Sequence, residues 1–396
     1  MYTRDICYHF SENSYPKKTP TPPHIQSRTD LRGTYVLVRI DVNVPVRGDG
    51  SVSDDDAVRI FATLPTLQFL IDQGAKIIAI SHCGNADDTL APVATFMKDT
   101  CNLPVTFIPC LFGQEVDDAL AQLGEGEILL LENLRNDARE KNNNLNFARA
   151  LAAYADVYVN EAFSASHREH ASIVSIPQVL PTYFGFQFHK EYTALSAVLD
   201  PKHPLLVIVG GAKFDTKLPL INAMLKRADT LFVGGALAHT FFVHQGHTIG
   251  ASLFEAYDAI ADLAKRSSVM IPRDVIVTTG EEVRTTTPDA ITPLEKIVDL
   301  GPATLEALAP HITKARTIIW NGPLGWYEGG FDGGTQALLE KIAEAPGFSI
   351  IGGGDTVAVV RAHHMEDRFG FVSTAGGAML DFLIHETLPG IDAVMK

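Results

Sequence analysis

The feature that most narrows the fold is a recurrence of short, unbroken apolar runs, each closed by glycine or by charged and amide residues. In the first half these are YVLVRI (35–40), KIIAI (76–80), VTFI (105–108), EILLLE (127–132) and DVYVN (156–160). Each has the length of a strand and lacks polar alternation, as strands buried on both faces do. Helical patterns separate them, among them RIFATLPTLQFLIDQG (59–74), whose closing glycine favours a helix C-terminus. After an amphipathic stretch at 186–200 the series restarts: LLVIV (205–209), TLFV (230–233), VIV (275–277), TIIW (317–320), FSII (348–351) and FVST (371–374). Strands alternating with helices favour parallel sheets. The pattern predicts an α/β chain of two doubly wound parallel-sheet domains, 1–185 and 201–379, joined by a helix at 186–200.

Length agrees, because 396 residues exceed the size at which one core stops growing, and two domains of roughly 180–200 residues follow. A net charge of −15 opposes binding to nucleic acid or to an anionic membrane. No apolar segment approaches the ~20 residues of a membrane span. Cys7, Cys83, Cys101 and Cys110 have no CxxC spacing. They predict reduced thiols in a cytoplasmic protein, with neither a zinc site nor a disulfide framework. Residues 1–30 lack the apolar core of a secretory signal and contain several prolines, so they predict an extension, loose or packed as irregular chain.

Ligands of doubly wound sheets bind beyond the carboxyl ends of the strands. In the second half those ends carry glycine corners: Gly210 and Gly211, Gly234 and Gly235, Gly322 and Gly325, Gly352 to Gly354, Gly376 and Gly377. Glycine lets backbone approach a ligand, and helix N-termini stabilise phosphate oxygens, so the set predicts a nucleotide cleft. The spacing is not that of a P-loop. Lys213 and Lys217, four apart, predict two cations on one helical face. Asp355 fits an N-cap, a magnesium ligand, or both. Glu328 suits a ribose hydroxyl, though a lone glutamate there is more often surface decoration.

In the first half the strand ends carry charge instead: Arg39, Asp41 and Asn43; His82 and Asn85; Glu132, Asn133 and Arg135; then Asn160, Glu161, His167, Arg168 and His170. Arg59 starts the first helix. Each arginine alone suits a salt bridge, but Arg39, Arg59, Arg135 and Arg168 with the three histidines predict a cluster for a small, multiply charged anion. The histidines lack metal-binding spacing.

These stretches together resemble phosphoglycerate kinase. The matches are VLVRIDVNVPV, ISHCGNA, LLLENLR, DVYVNEAFSASHREHAS, VGGAKFDTKL, VGGALAHTF, TIIWNGPLGWYE, IIGGGDT and FVSTAGGAML, in the family's order from about Tyr35 to the end. The resemblance implies two Rossmann-like domains, acid substrate on the first and Mg2+-nucleotide on the second, with 380–396 returning to the first. It implies reversible phosphoryl transfer between 1,3-bisphosphoglycerate and ADP, giving 3-phosphoglycerate and ATP, in a cytoplasmic monomer that closes about a hinge at 186–200. Asp41 and Asn43 would hold the glycerate end, and His82, Arg135 and Arg168 the non-transferred phosphate. Arg59 and Lys213 would neutralise the moving phosphoryl group, with backbone donors at Gly376 and Gly377. Gly211, Lys217, Asn321, Pro323, Gly354, Asp355 and Thr356 would bind the nucleotide phosphates and magnesium. Glu328 would take the ribose, and Gly234 and Gly235 would border the adenine.

The chain departs from the family pattern at Asn85, an arginine in the family, which predicts weaker hold on the distal phosphate. Glu161 and Ser164 replace Asp and Gly, predicting an altered loop near the cluster. Ala375 replaces a glycine, predicting less freedom at a phosphate-facing turn, and Trp326 replaces a small aliphatic residue, predicting stacking on the base or a narrower site. These departures leave two alternatives: a nucleotide-binding paralogue with a regulatory role, or a kinase for another small carboxylic acid.

Overall fold

All twelve strands in the two large sheets of this computed structural model pair parallel, as the apolar runs require, and β1 (Tyr35–Arg39) opens the series. The structure describes residues 22–257 and 260–395. It divides into two compact units, one running up to Thr193 and taking in the stretch from Thr387, the other running from Ala194 to Glu386. The division falls inside the connecting helix Phe186–Leu199.

The first unit holds β1 (Tyr35–Arg39), β2 (Lys76–Ile80), β3 (Val105–Ile108), β4 (Ile128–Leu131), β5 (Val157–Asn160) and β6 (Thr182–Phe184). Their order is β3-β4-β2-β1-β5-β6, all pairs parallel. The chain winds outward from β1 to one side and then crosses to β5, so the topological switch lies beside β1. Apolar side chains cover both faces: Val36, Val38 and Ile77 pack against the helix Val58–Asp72, while Leu37, Ile78 and Leu129 join Phe147 and Leu151 on the other. Of the predicted extension, residues 1–21 lie outside the described residues. Ile25 is fully buried, and His24 forms a bridge beside Phe184.

The second unit holds β7 (Leu205–Val209), β8 (Thr230–Val233), β9 (Val269–Met270), β10 (Val275–Thr278), β11 (Val283–Thr286), β12 (Lys296–Leu300), β13 (Thr317–Asn321), β14 (Phe348–Gly352) and β15 (Phe371–Val372). Six of these form a parallel sheet ordered β15-β14-β13-β7-β8-β9. The run at 275–277 corrects the parallel series predicted from sequence: β10 pairs antiparallel with β11 and β12 in a separate three-stranded sheet. Only a tight turn, closed by Thr279 N–H on the Glu282 carbonyl, separates β10 from β11. A parallel return needs a dozen or more residues.

Candidate functional site

At the carboxyl edge of the first sheet the charged residues fall into a buried layer and a layer above it. Arg39 is 1% exposed. It donates to Ser172 Oγ at 3.2 Å, Ser81 Oγ at 3.3 Å, the Ile40 carbonyl at 2.5 Å and His82 Nδ1 at 2.8 Å. Ser172 passes the contact on, donating to Glu140 Oε1 at 2.6 Å while its N–H donates to Oε2 at 2.9 Å. Burial pushes the Glu140 carboxyl up, and the Arg39 charge and both Ser172 bonds pull it down. Arg39, predicted as part of the anion cluster, is therefore a buried strut beneath it.

That strut also fixes the state of His82. A guanidinium only donates, so Nδ1 accepts and the ring proton sits on Nε2. Burial, and then the charges of Arg39, Arg135 and Arg168, push the His82 pKa down, so the ring is a neutral donor. Arg135 belongs to a short turn held by Asn133, whose Oδ1 accepts from the Arg135 N–H at 3.0 Å. Its Nη1 donates to the Gly84 carbonyl, and its buried Nε has no acceptor. Burial and mutual repulsion lower the pKa of both Arg135 and Arg168. His170 is pushed down to about 4 by burial and then by the arginines. Half-buried cations that repel one another, with an unused buried donor, form a receptor for a compact anion.

Asp41 and Asn43 lie beside this cluster, just after β1. Asp41 accepts from Ser164 Oγ and faces Arg59 Nε at 3.5 Å; Asn43 Oδ1 accepts from the Gly84 N–H at 3.0 Å. Arg59 projects from the first turn of its helix, and its Nη1 reaches the Asn43 carbonyl at 3.4 Å. Ser164 thus engages the site itself through Asp41. Glu161 does not: it is 2% exposed and accepts from Thr66 Oγ1 at 2.6 Å and from the N–H groups of Gln187 and Phe188 at 3.0 and 3.2 Å. It supports the start of the connecting helix, away from the predicted loop role. Asn85 is exposed, and its loop is anchored from below: Asn133 Nδ2 donates to the carbonyls of Cys83, Asn85 and Asp88 at 2.9, 2.8 and 2.9 Å.

In the second unit the switch point lies between β7 and β13, and two glycine corners touch there. The Gly210 N–H donates to the Asn321 carbonyl and the Gly211 N–H to the Pro323 carbonyl, both at 2.9 Å. A Cβ on Gly322 (φ +94°) would fall 2.2 Å from the Gly210 oxygen, and one on Gly210 2.3 Å from the Pro323 oxygen. Only glycine lets these backbones approach so closely. Thr356 Oγ1 accepts from the Gly322 N–H at 2.9 Å and ties the corner to the next helix.

Lys217 Nζ donates to Asn321 Oδ1 at 2.5 Å, leaving Asn321 Nδ2 buried with no acceptor. Burial lowers the Lys217 pKa, with Asp355 opposing. Lys213 does not share a helical face with Lys217: it is the extended N-cap residue (φ −108°, ψ 110°) of the helix Phe214–Met224, and exposed. Asp355 is not an N-cap. That position is Gly353, and Asp355 sits exposed in the first turn of the helix Gly354–Ala362. The helices starting at Gly354 and Gly377 lack a side-chain cap, so their leading N–H groups have no partner of their own making, whereas the Phe214 N–H donates to Glu255 Oε2. The positive φ needed before the last of these belongs to Gly376 (+57°), not to Ala375, which corrects the loss of freedom predicted there.

A cavity of about 330 Å³ adjoins these corners, lined by Gly235, Ala238, Val298, Leu324, Trp326 and Glu328 among others. Gly234 packs directly behind, where a Cβ would fall 2.6 Å from Leu324 Cδ2. Glu140 and Ser172 have roles here that sequence reasoning missed. Their partners lie far away in the chain, and no local spacing marks them.

The family model for phosphoglycerate kinase matches residues 26–386. The phosphoglycerate kinase of Thermomicrobium roseum is 40% identical over 380 residues, covering 91% of this chain and 96% of that protein. The phosphoglycerate kinase of Aquifex aeolicus is 39% identical over 380 residues, covering 91% and 95%. The solved phosphoglycerate kinase of Coxiella burnetii superimposes with a TM-score of 0.82 at 34% identity, over 93% of this chain and 98% of that one.

Proposed function

The chain belongs to the phosphoglycerate kinase family, and from that premise we propose that it transfers a phosphoryl group reversibly between 1,3-bisphosphoglycerate and ADP, giving 3-phosphoglycerate and ATP. The observation that carries this reading is a pair of anion receptors. One is the repelling cluster of His82, Arg135 and Arg168; the other is the pair of uncapped helix starts at Gly354 and Gly377, with Lys217 and the orphaned Nδ2 of Asn321.

Asp41 and Asn43 orient the glycerate end, and His82, Arg135 and Arg168 hold the distal phosphate. Gly211, Pro323, Gly354 and Thr356 shape the backbone around the nucleotide phosphates, with Lys217 and Asn321 as side-chain donors and Glu328 at the ribose. Arg59 and Lys213, with the N–H groups after Gly376 and Gly377, stabilise the charge spread over the moving group. The acceptor carboxylate is ionised at neutral pH, since carboxyl pKa values lie near ~4. No general base is therefore required. Transfer needs the reacting groups brought together and water excluded, and the helix Phe186–Leu199 is the proposed hinge.

Magnesium fits the donor set. Among the described residues no three His, Cys, Asp or Glu side chains gather into a metal cage. Mg2+ bound with nucleotide needs only one or two carboxylates beside the phosphates, and Asp355 supplies one at a helix start. When bound, the ion neutralises phosphate charge. The proposed enzyme acts on small molecules, as a cytoplasmic monomer.

An assay of 1,3-bisphosphoglycerate formation from 3-phosphoglycerate and MgATP tests the reading. Turnover is expected, with kcat falling about 10²–10³-fold in Arg59→Ala, the usual effect of removing one oxyanion donor. Absence of turnover in the parent protein sinks it.

A further inference from the structure

The reaction as proposed does not account for one side-chain pair in the wall of the nucleotide cavity. Lys296, at the start of β12, places Nζ 3.5 Å from the centroid of the Trp326 ring, and both residues line the cavity. The opposite face of the indole is closed. A Cβ built on Gly329 would fall 2.6, 2.7 and 2.9 Å from Cδ2, Cε3 and Cε2, so backbone lies flat against the ring. An ammonium and a backbone at those distances cannot share one face. Phe331 stacks further along, its ring tilted 20° with centroids 6.1 Å apart. Both faces of Trp326 are therefore taken. It does not offer the stacking surface for a base that the sequence predicts, and instead fixes the position of Lys296.

Nothing else claims that ammonium. Its neighbour Glu295 is bonded twice by Arg284, at 2.6 and 2.9 Å, and among the described residues no salt bridge engages Lys296. The lining also includes the apolar Ala238, Phe242, Val298 and Leu324, with His239 donating to the Leu253 carbonyl and Glu328 assigned above to the ribose. Asp299, also in the lining, already accepts from the N–H groups of Gly334 and Leu300 at 2.7 and 2.8 Å. At Lys296 the cavity wall thus presents a cation that donates and cannot accept, and we place the base of the nucleotide there. Purines answer this differently. A 6-oxopurine turns two acceptors, O6 and N7, to one edge, whereas adenine sets an amino donor beside N7.

We propose that Lys296, held over Trp326, selects 6-oxopurine nucleotides, so that guanosine and inosine phosphates serve this kinase at least as well as adenosine phosphates. The inference rests on the nucleotide-binding role proposed above and adds the identity of the base. It is tested by measuring kcat/KM with 3-phosphoglycerate and MgATP, MgGTP or MgITP, for the parent protein, Lys296→Met and Trp326→Val. The parent should use GTP and ITP at or above the ATP level. Lys296→Met should lower the GTP/ATP and ITP/ATP ratios about tenfold, the scale of one charge-assisted hydrogen bond. Trp326→Val, which unpins the lysine, should lower the same ratios by less.

A parent preference for ATP of tenfold or more overturns the proposal. So does an equal effect of Lys296→Met on all three nucleotides. Use of GTP without ITP also overturns it, since the two share the 6-oxo group. Absence of turnover with every nucleotide defeats the kinase reading alone, and calorimetric affinities for GDP, IDP and ADP then decide the base preference on the same criteria.

Discussion

The two units build their proposed anion sites by opposite means. The first uses formal charge: guanidiniums and a neutral imidazole are crowded above a buried Arg39–Ser172–Glu140 chain. The second uses backbone: glycine corners in mutual contact and helix starts without side-chain caps, with Lys217 as the half-buried cation. A charge cluster depends on the group that holds it, as His82 depends on Arg39 and Arg39 on the Ser172–Glu140 chain. A backbone cradle has no side chain to lose. It fails when a side chain is added.

Removing the buried counter-ion tests the first half of that contrast most severely. Glu140→Ala should destabilise the protein by about 3–5 kcal/mol in urea denaturation, because Arg39 is left as an uncompensated buried charge. A loss under about 1 kcal/mol would mean that the cations need no support from below. Adding a methyl group tests the second half. Gly322→Ala should cost about 3 kcal/mol, combining a left-handed φ with a 2.2 Å approach to backbone, and should weaken nucleotide binding in calorimetry. Unchanged nucleotide affinity would break the comparison.

The third expectation concerns the carboxyl that serves neither receptor. Burial pushes Glu161 up to about 7, against the hydrogen bonds of Thr66, Gln187 and Phe188. Folded protein therefore retains a proton that unfolded chain has already released. The associated stability is fully present below the unfolded pKa, near 4.5, and is lost as pH rises through about 7. Denaturation midpoints should fall across that window by the equivalent of roughly 2–3 kcal/mol, from the size of the shift. Glu161→Gln should remove that slope whatever its absolute stability; a slope that persists would assign it to other groups. The smallest effect sharpens the contrast from the side of addition. Asn85→Arg should lower the KM for 3-phosphoglycerate about tenfold, as expected for one added charged contact to a bound anion, and a raised KM would show the cluster already full.

Much of this architecture is legible in the chain because parallel strands buried on both faces appear as continuous apolar runs. The run at Leu205–Val209 falls on its strand residue for residue. The same signal misleads at Val275, where an equally apolar run belongs to an antiparallel hairpin and only the turn after it tells the difference. Site residues at strand ends are legible as a set, since topology alone brings strand ends together. Their division of labour is not. Arg39 reads like Arg135 and Arg168, yet it donates to Ser172, 133 positions away, and lies beneath them. Lys296, in a run of mixed polarity, reads as a surface lysine until Trp326 is found under it. Local pattern records burial and period; it does not record which distant group completes a side chain.

The placement of the tryptophans has a spectroscopic consequence. The chain contains two, Trp320 sealed within the second unit at 0% exposure and Trp326 in the cavity wall at 43%. The first donates its indole N–H to the Gly322 carbonyl at 2.8 Å within the core, while the second lies where, under the proposed function, a nucleotide would displace water. Under the proposed function the unmodified protein thus carries, in Trp326, a fluorescence reporter of nucleotide occupancy that needs no label.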